Sequence, residues 1–346
     1  MIRTTLSPVS RRRFLGLGAA GAAAALLTAC AGEGSGSEAG GAAETLNIDF
    51  ATYNPLSLVI KEKGWLEATL KDRGVTVNWV QSAGSNKANE ALRADAIQVG
   101  STAGSAALLA RSNGSPIKVI SLYSRPEWAA LVVPKGSSIK SVADLKGKQV
   151  AATKGTDPYF FLVQSLEEAG LSINDVTVQN LQHADGRAAL ENGSVDAWSG
   201  LDPIMAGAEQ AGATLLYRNL AFNTYGFLNA TESFIAESPD LAQTVVDAYE
   251  KARAWAAENP EETATILAGV ASLDQEVADK VILERSNLDV DGVPGAAQTK
   301  VLATVGPIFV ETGDVTDQGK IDEAVASIVD DTFAKKADAS TIKDAA

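Results

Sequence analysis

The chain has 346 residues, 29 basic against 43 acidic side chains, 46% hydrophobic residues, one cysteine and one histidine. That length suits about two domains with ample apolar material for packed cores, while a single thiol excludes a disulfide framework, and zinc clusters and Cys–His catalysis are excluded unless His183 and Cys30 meet. A net charge of −14 argues against a nucleic-acid partner, because affinity for phosphates comes chiefly from Lys and Arg.

Residues 1–29 read as an export signal. Arg3, Arg11, Arg12 and Arg13 form a basic start, and the run from Phe14 to Ala29 is almost entirely Ala, Gly and Leu, too short to span a bilayer. Leu27-Thr28-Ala29-Cys30 resembles the bacterial lipobox, in which cleavage leaves a lipidated cysteine at the new N-terminus; Ser10-Arg11-Arg12-Arg13-Phe14-Leu15 resembles a twin-arginine motif, with the general secretory route as the alternative. Cleavage before Cys30 removes four arginines and no acid, taking the net charge from −14 to about −18. Residues 30–44, rich in Gly, Ser, Ala and Glu, read as a flexible tether. This layout places the protein at the outer face of a cytoplasmic membrane.

From Thr45 onward, strand and helix patterns alternate as in parallel α/β construction. Strands are expected at 46–50, 75–80, 97–100 and 117–122. Helices are expected from Asn54-Pro55, where a capping side chain precedes a proline, at 86–94, and after Ser101-Thr102. An extended segment at 129–134 precedes a second round: a short helix at 142–145, strands at 149–153, 176–179, 195–198 and 214–217, and helices at 158–169, 184–191 and 203–211. A further extended segment at 224–229 leads into helical patterns. In the one covering 240–258, Leu241, Val245, Ala248, Tyr249, Ala252 and Trp255 share a face, and others follow to about Phe333, wrapping an existing sheet. The tail from Ala337 is expected to fray. The two extended segments imply two lobes joined by a hinge: 45–130 with 227–346, and 131–226.

In open α/β sheets, ligands bind beyond the carboxyl ends of strands, at helix N-termini. Three such corners are small and polar: Thr52-Tyr53-Asn54, Gly100-Ser101-Thr102-Ala103-Gly104, and Lys154-Gly155-Thr156-Asp157-Pro158. Taken singly each reads as an ordinary helix cap; their recurrence on both lobes is what points to a site. Trp128 and Trp198, beside the hinge and a strand end, are candidate cleft walls, whereas Trp65, Trp79 and Trp255 read as core and His183 as a solvated residue ahead of a helix.

Asp144-Leu145-Lys146-Gly147-Lys148-Gln149-Val150-Ala151, Lys154-Gly155-Thr156, Gly193-Ser194-Val195-Asp196-Ala197-Trp198 and Asp202-Pro203, with Ala91-Leu92-Arg93 and Val99-Gly100-Ser101-Thr102 earlier, form an ordered set. Over residues 46–230 the chain resembles the aliphatic sulfonate, taurine and nitrate group of ABC importer substrate-binding proteins. The resemblance implies a periplasmic-binding-protein type II fold, an α/β architecture of two lobes with two hinge strands that closes on a small organic anion, without enzymatic activity or cofactor, as a monomer serving a membrane permease. It also implies a ligand shell of Tyr53, Asn54, Ala83, Gly84, Ser101, Thr102, Gly155, Thr156, Trp198 and Asp202. Neutral N–H and hydroxyl donors of this kind can hold a sulfonate without a cationic side chain.

One departure stands out: Asp157-Pro158 occupies the place where similar sulfonate binders carry serines. Asp157 is read equally as a helix cap and as a ligand contact. A carboxylate of Asp157, Glu127 or Asp202 facing the cleft would favour a ligand with donor hydrogens, as taurine has, over nitrate. An amino-pyrimidine ligand, a pyrimidine-forming enzyme on the same fold, and a surface lipoprotein for interaction only are the competing readings.

Overall fold

The computed structural model describes residues 44–345. The signal, the lipobox with Cys30 and nearly all of the tether therefore lie outside the described residues.

Two five-stranded sheets organise the chain. The first has the order β2-β1-β3-β10-β4, with β1 (Thr45–Phe50), β2 (Thr76–Gln81), β3 (Val99–Ala103), β4 (Ile117–Ser124) and β10 (Gly226–Thr231). The second has the order β7-β6-β8-β5-β9, with β5 (Ala129–Val133), β6 (Gln149–Ala152), β7 (Thr177–Asn180), β8 (Ala197–Leu201) and β9 (Thr214–Tyr217). In each sheet three strands pair in parallel, and the strand that has just crossed from the other sheet is inserted antiparallel: β10 between β3 and β4, and β5 between β8 and β9. This is the two-lobed architecture of periplasmic binding proteins.

The chain crosses between sheets at residues 125–128 and 218–225. The crossings are tied to each other, since the Ala129 N–H donates to Asn223 Oδ1 at 2.8 Å and Arg218 grips Glu127 through two hydrogen bonds of 2.9 and 2.7 Å.

Helices follow the strands in the expected alternation. The parallel strands run into α1 (Pro55–Lys63), α3 (Ser85–Arg93), α4 (Gly104–Ser112), α5 (Asp157–Glu168), α6 (His183–Glu191) and α7 (Ile204–Gln210), with the short α2 (Trp65–Leu70) after α1. Pro55 and Pro158 sit in first turns, where a missing N–H costs nothing. After β10 come α8 (Glu232–Glu237), α9 (Pro239–Glu258), α10 (Pro260–Ala271), α11 (Gln275–Asp279), α12 (Ala296–Glu311) and α13 (Gln318–Ser327), with no strand between them.

These late helices do more than wrap one sheet. Phe309 of α12 packs on Phe160 of α5 with ring centroids 4.5 Å apart, and Arg285, at the end of a π-helical turn (Lys280–Arg285), pairs with Asp202 after β8. The tail is held rather than frayed. Ile342 is buried, Lys251 Nζ donates to its carbonyl at 2.9 Å, and the Lys343 N–H donates to Thr69 Oγ1 at 2.9 Å.

Candidate functional site

The carboxyl ends of the parallel strands of both sheets lead into helix starts that meet between the sheets. At the first corner, Asn54 caps α1, its Oδ1 accepting from the Ser57 N–H at 3.3 Å while its Nδ2 donates to the Tyr249 hydroxyl at 2.9 Å. The Tyr53 hydroxyl donates to the Ser101 carbonyl at 3.0 Å, and its ring meets Trp128 edge-on. Ser101 donates its N–H and its hydroxyl to Asp49 at 2.9 and 3.0 Å; burial pushes this carboxyl up to about 7 against those stabilising bonds. Thr102 Oγ1 donates to the Ala103 carbonyl and accepts from Asn229 Nδ2. The polar atoms of Tyr53, Asn54, Ser101 and Thr102 are thus engaged internally.

At the second corner Asp157 is the first residue of α5, and Thr156 is the capping position. The Asp157 side chain caps nothing in its own helix. It crosses to the other sheet's elements, accepting from the Ser105 hydroxyl at the start of α4, from Trp128 Nε1 at 2.8 Å and from the Thr224 N–H and hydroxyl, each at 2.8 Å. Burial raises its pKa and those four donors oppose the rise. Thr156 Oγ1 donates to the Thr153 carbonyl at 2.6 Å and is buried.

Asp202 bonds to the Ala206 N–H at 3.0 Å, in the first turns of α7, and forms a buried pair with Arg285 Nη1 at 3.2 Å. Desolvation pushes its carboxyl up to about 6, with the Arg285 guanidinium pulling the other way. The space enclosed by Tyr53, Trp128, Asp202 and Arg285 is about 10 Å³, too small for a solute. Trp198 lies within the second sheet's core, fully buried among Ala130, Val132, Ala151 and Met205.

The loop before α3 meets the start of α5 through two glycines. Gly84, at φ 150°, precedes α3, and Gly155, at φ 76°, precedes α5; both conformations favour glycine. A Cβ on Gly155 would lie 4.0 Å from the Asn86 Cβ and 3.8 Å from Leu109, so the two sheets' elements are close here. Ala83 is exposed, and Gly84 is buried beside it.

His183 is buried, not solvated, because the start of α6 packs against the loop before α3: a Cβ on Gly84 would lie 3.0 Å from His183 Nε2. Thr153 Oγ1 stands 3.2 Å from His183 Nδ1, and burial pushes the imidazole pKa down to about 4. Sequence reasoning missed His183, Ser105, Thr224 and Arg285. Ser105 directly follows the small polar corner and could have been found there; the others come from segments with no local signal.

The fold and the polar interlobe corners define a two-lobed solute-binding type of protein. The chain belongs to the NMT1/THI5-like family, whose profile matches residues 55–263. It is 31% identical over 296 residues, 83% of this chain and 85% of the relative, to a Bacillus subtilis (strain 168) protein described as an aliphatic sulfonates-binding protein. A protein from Escherichia coli (strain K12) with the same description is 30% identical over 58% of this chain and 64% of its own length. Among solved structures, the alkanesulfonate-binding protein SsuA from Xanthomonas axonopodis pv. citri bound to MOPS is similar with a TM-score of 0.74 at 25% identity, over 82% of this chain and 99% of that one.

Proposed function

We propose that this chain is the solute-binding component of an ABC importer, taking a small organic sulfonate between its lobes and presenting it to a membrane permease, without chemical conversion. The observation that carries this reading is the meeting of the starts of α3, α5 and α6 from both sheets at a place backed by Gly84 and Gly155. First-turn N–H groups of helices have no partner within the helix and favour negative charge, and glycine lets a ligand approach them. The sulfonate binders among its relatives support the choice of anion.

The lobes are proposed as 45–130 with 227–346, and 131–226, closing by a hinge at the two crossings. Of the residues named from sequence, Gly84 and Gly155 are proposed to approach the solute through their backbones, with Ala83 and Thr156 beside them. Tyr53, Asn54, Ser101, Thr102, Trp128, Asp157, Trp198 and Asp202 are proposed to shape and support the cleft.

Calorimetric titration of the purified protein with ethanesulfonate, butanesulfonate, taurine, nitrate and an amino-pyrimidine tests the reading. Saturable one-to-one binding of a sulfonate, recovered unchanged, is expected; binding of nitrate or an amino-pyrimidine with no sulfonate response would overturn it. Lipid attachment at Cys30 and a monomeric state at the membrane's outer face complete the proposal. Cys30→Ala should release the protein from the membrane fraction, and an unchanged distribution would rule the anchor out.

A further inference from the structure

The start of α5 and the two crossings share one buried carboxylate. Asp157 is 1% exposed, and no Lys or Arg among the described residues pairs with it; its contacts are neutral donors. Oδ1 accepts from the Ser105 hydroxyl and from Thr224 Oγ1 at 2.8 Å, while Oδ2 accepts from Trp128 Nε1 and from the Thr224 N–H, each at 2.8 Å. Four donors saturate the lone pairs of one carboxylate.

These donors have little choice of acceptor. The indole and amide N–H groups cannot turn, and they have no other acceptor among the described residues. Thr224 Oγ1 accepts from the Ser105 N–H at 3.2 Å, which turns its own proton toward Asp157. The Ser105 hydroxyl has no second acceptor either. A neutral acid donating to Ser105 would leave that hydroxyl's proton unpaired in a buried place. The ionised form uses the whole set, and α5, a helix of twelve residues beginning at Asp157, adds the favourable end of its dipole.

Preorganised N–H and O–H groups without a cation are an arrangement that holds the oxygens of an anion. Here the protein supplies the anion itself, from a helix of the second sheet, to donors on α4 and on both crossings. This nest borders the interlobe region. Trp128, whose Nε1 reaches Asp157, meets Tyr53 with ring centroids 6.3 Å apart and lines the small enclosed space with Tyr53, Asp202 and Arg285.

We propose that Asp157 is a specificity-determining residue that acts as a built-in anion: its carboxylate fills an oxyanion nest of Ser105, Trp128 and Thr224 and withholds those donors from the solute and from other small anions. The anionic end of a bound solute is then held by other groups, among them the backbone at Gly84 and Gly155. The placement of the solute rests on the sulfonate reading above, whereas the filled nest stands on its hydrogen bonds.

Vacating the nest tests this. Formate is the probe, a free carboxylate of the size of the one removed, added at constant ionic strength against chloride. Asp157→Gly should be destabilised in formate-free buffer and should gain about 2–4 °C in Tm in about 100 mM formate, saturably, as expected for a millimolar site. The wild type, and Asp157→Asn, which keeps the nest filled, should gain no more than in chloride. Asp157→Ser takes the place of the glycine variant if that does not fold. The same formate response in the wild type and the vacated variant, or none in either, would overturn the built-in anion. Ethanesulfonate titration of the wild type needs no variant: affinity unchanged by formate supports the proposal, and displacement by formate would show that the nest is open and sink it. Formate stabilisation of Asp157→Gly with no sulfonate bound by the wild type would remove the sulfonate reading and leave the filled nest standing.

Discussion

At the scale of single residues, Asp157 shows why a local reading of a helix start is incomplete. An aspartate ahead of a proline is a strong local signal for a cap, yet Thr156 holds the capping position with its hydroxyl turned back to the Thr153 carbonyl, and the Asp157 carboxylate turns outward to Ser105, Trp128 and Thr224. These donors come from α4 and from both crossings, so one side chain ties three distant segments together. Removing it leaves Trp128 Nε1 and the Thr224 N–H without an acceptor in a dry environment. Asp157→Ala should therefore cost about 3 kcal/mol or more in chemical denaturation, and Asp157→Asn, which keeps one carbonyl oxygen, distinctly less. Equal stability of the alanine variant and the wild type would show that the network contributes nothing. Asp157→Ser, titrated beside the wild type with the same sulfonates, separates ligand choice from stability.

At the scale of elements, most strands and helices were legible because their apolar periodicity is strong. The differences lie where a distant strand decides an end. The sequence predicts strands closing at Gly100 and Trp198, but β3 continues to Ala103 and β8 to Leu201. Of the added residues only Thr102 favours a strand by itself; Ser101 and Ala103 are extended because β10 pairs along them, with Leu228 opposite Ser101 and Gly226 opposite Ala103. Ser199, Gly200 and Leu201 are drawn out in the same way by β5. The consequence reaches the site, since Ser101 and Thr102 move from an open corner into a strand and their hydroxyls turn to internal partners.

The turn ending in Arg285 makes a comparable link. Arg285, 3% exposed, holds Asp202 after β8 at 3.2 Å and Glu209 of α7 at 2.7 Å, joining the late helices to the second sheet. Arg285→Met would strand two carboxylates, one of them fully desolvated, and should destabilise the protein by about 3–5 kcal/mol. Adding Asp202→Asn should recover part of that loss. A double variant no more stable than the single one would refute the coupling.

At the scale of the whole molecule, the sequence by itself determined what depends on composition and local order: the alternating α/β construction, the two extended segments that become β5 and β10, and the ordered motifs that resemble sulfonate binders. Such features rest on neighbours within a few residues, so a linear reading recovers them. Only the tertiary structure decided which polar groups satisfy one another. The late helices bridge both sheets through Phe309 and Arg285, the tail is pinned by Lys251, Asp157 is held across the crossings, and the lone histidine is buried against Gly84. Those outcomes depend on hydrogen-bond partners and apolar surfaces separated by tens to hundreds of positions, and no periodicity or spacing encodes which distant donor a buried carboxylate or imidazole will find.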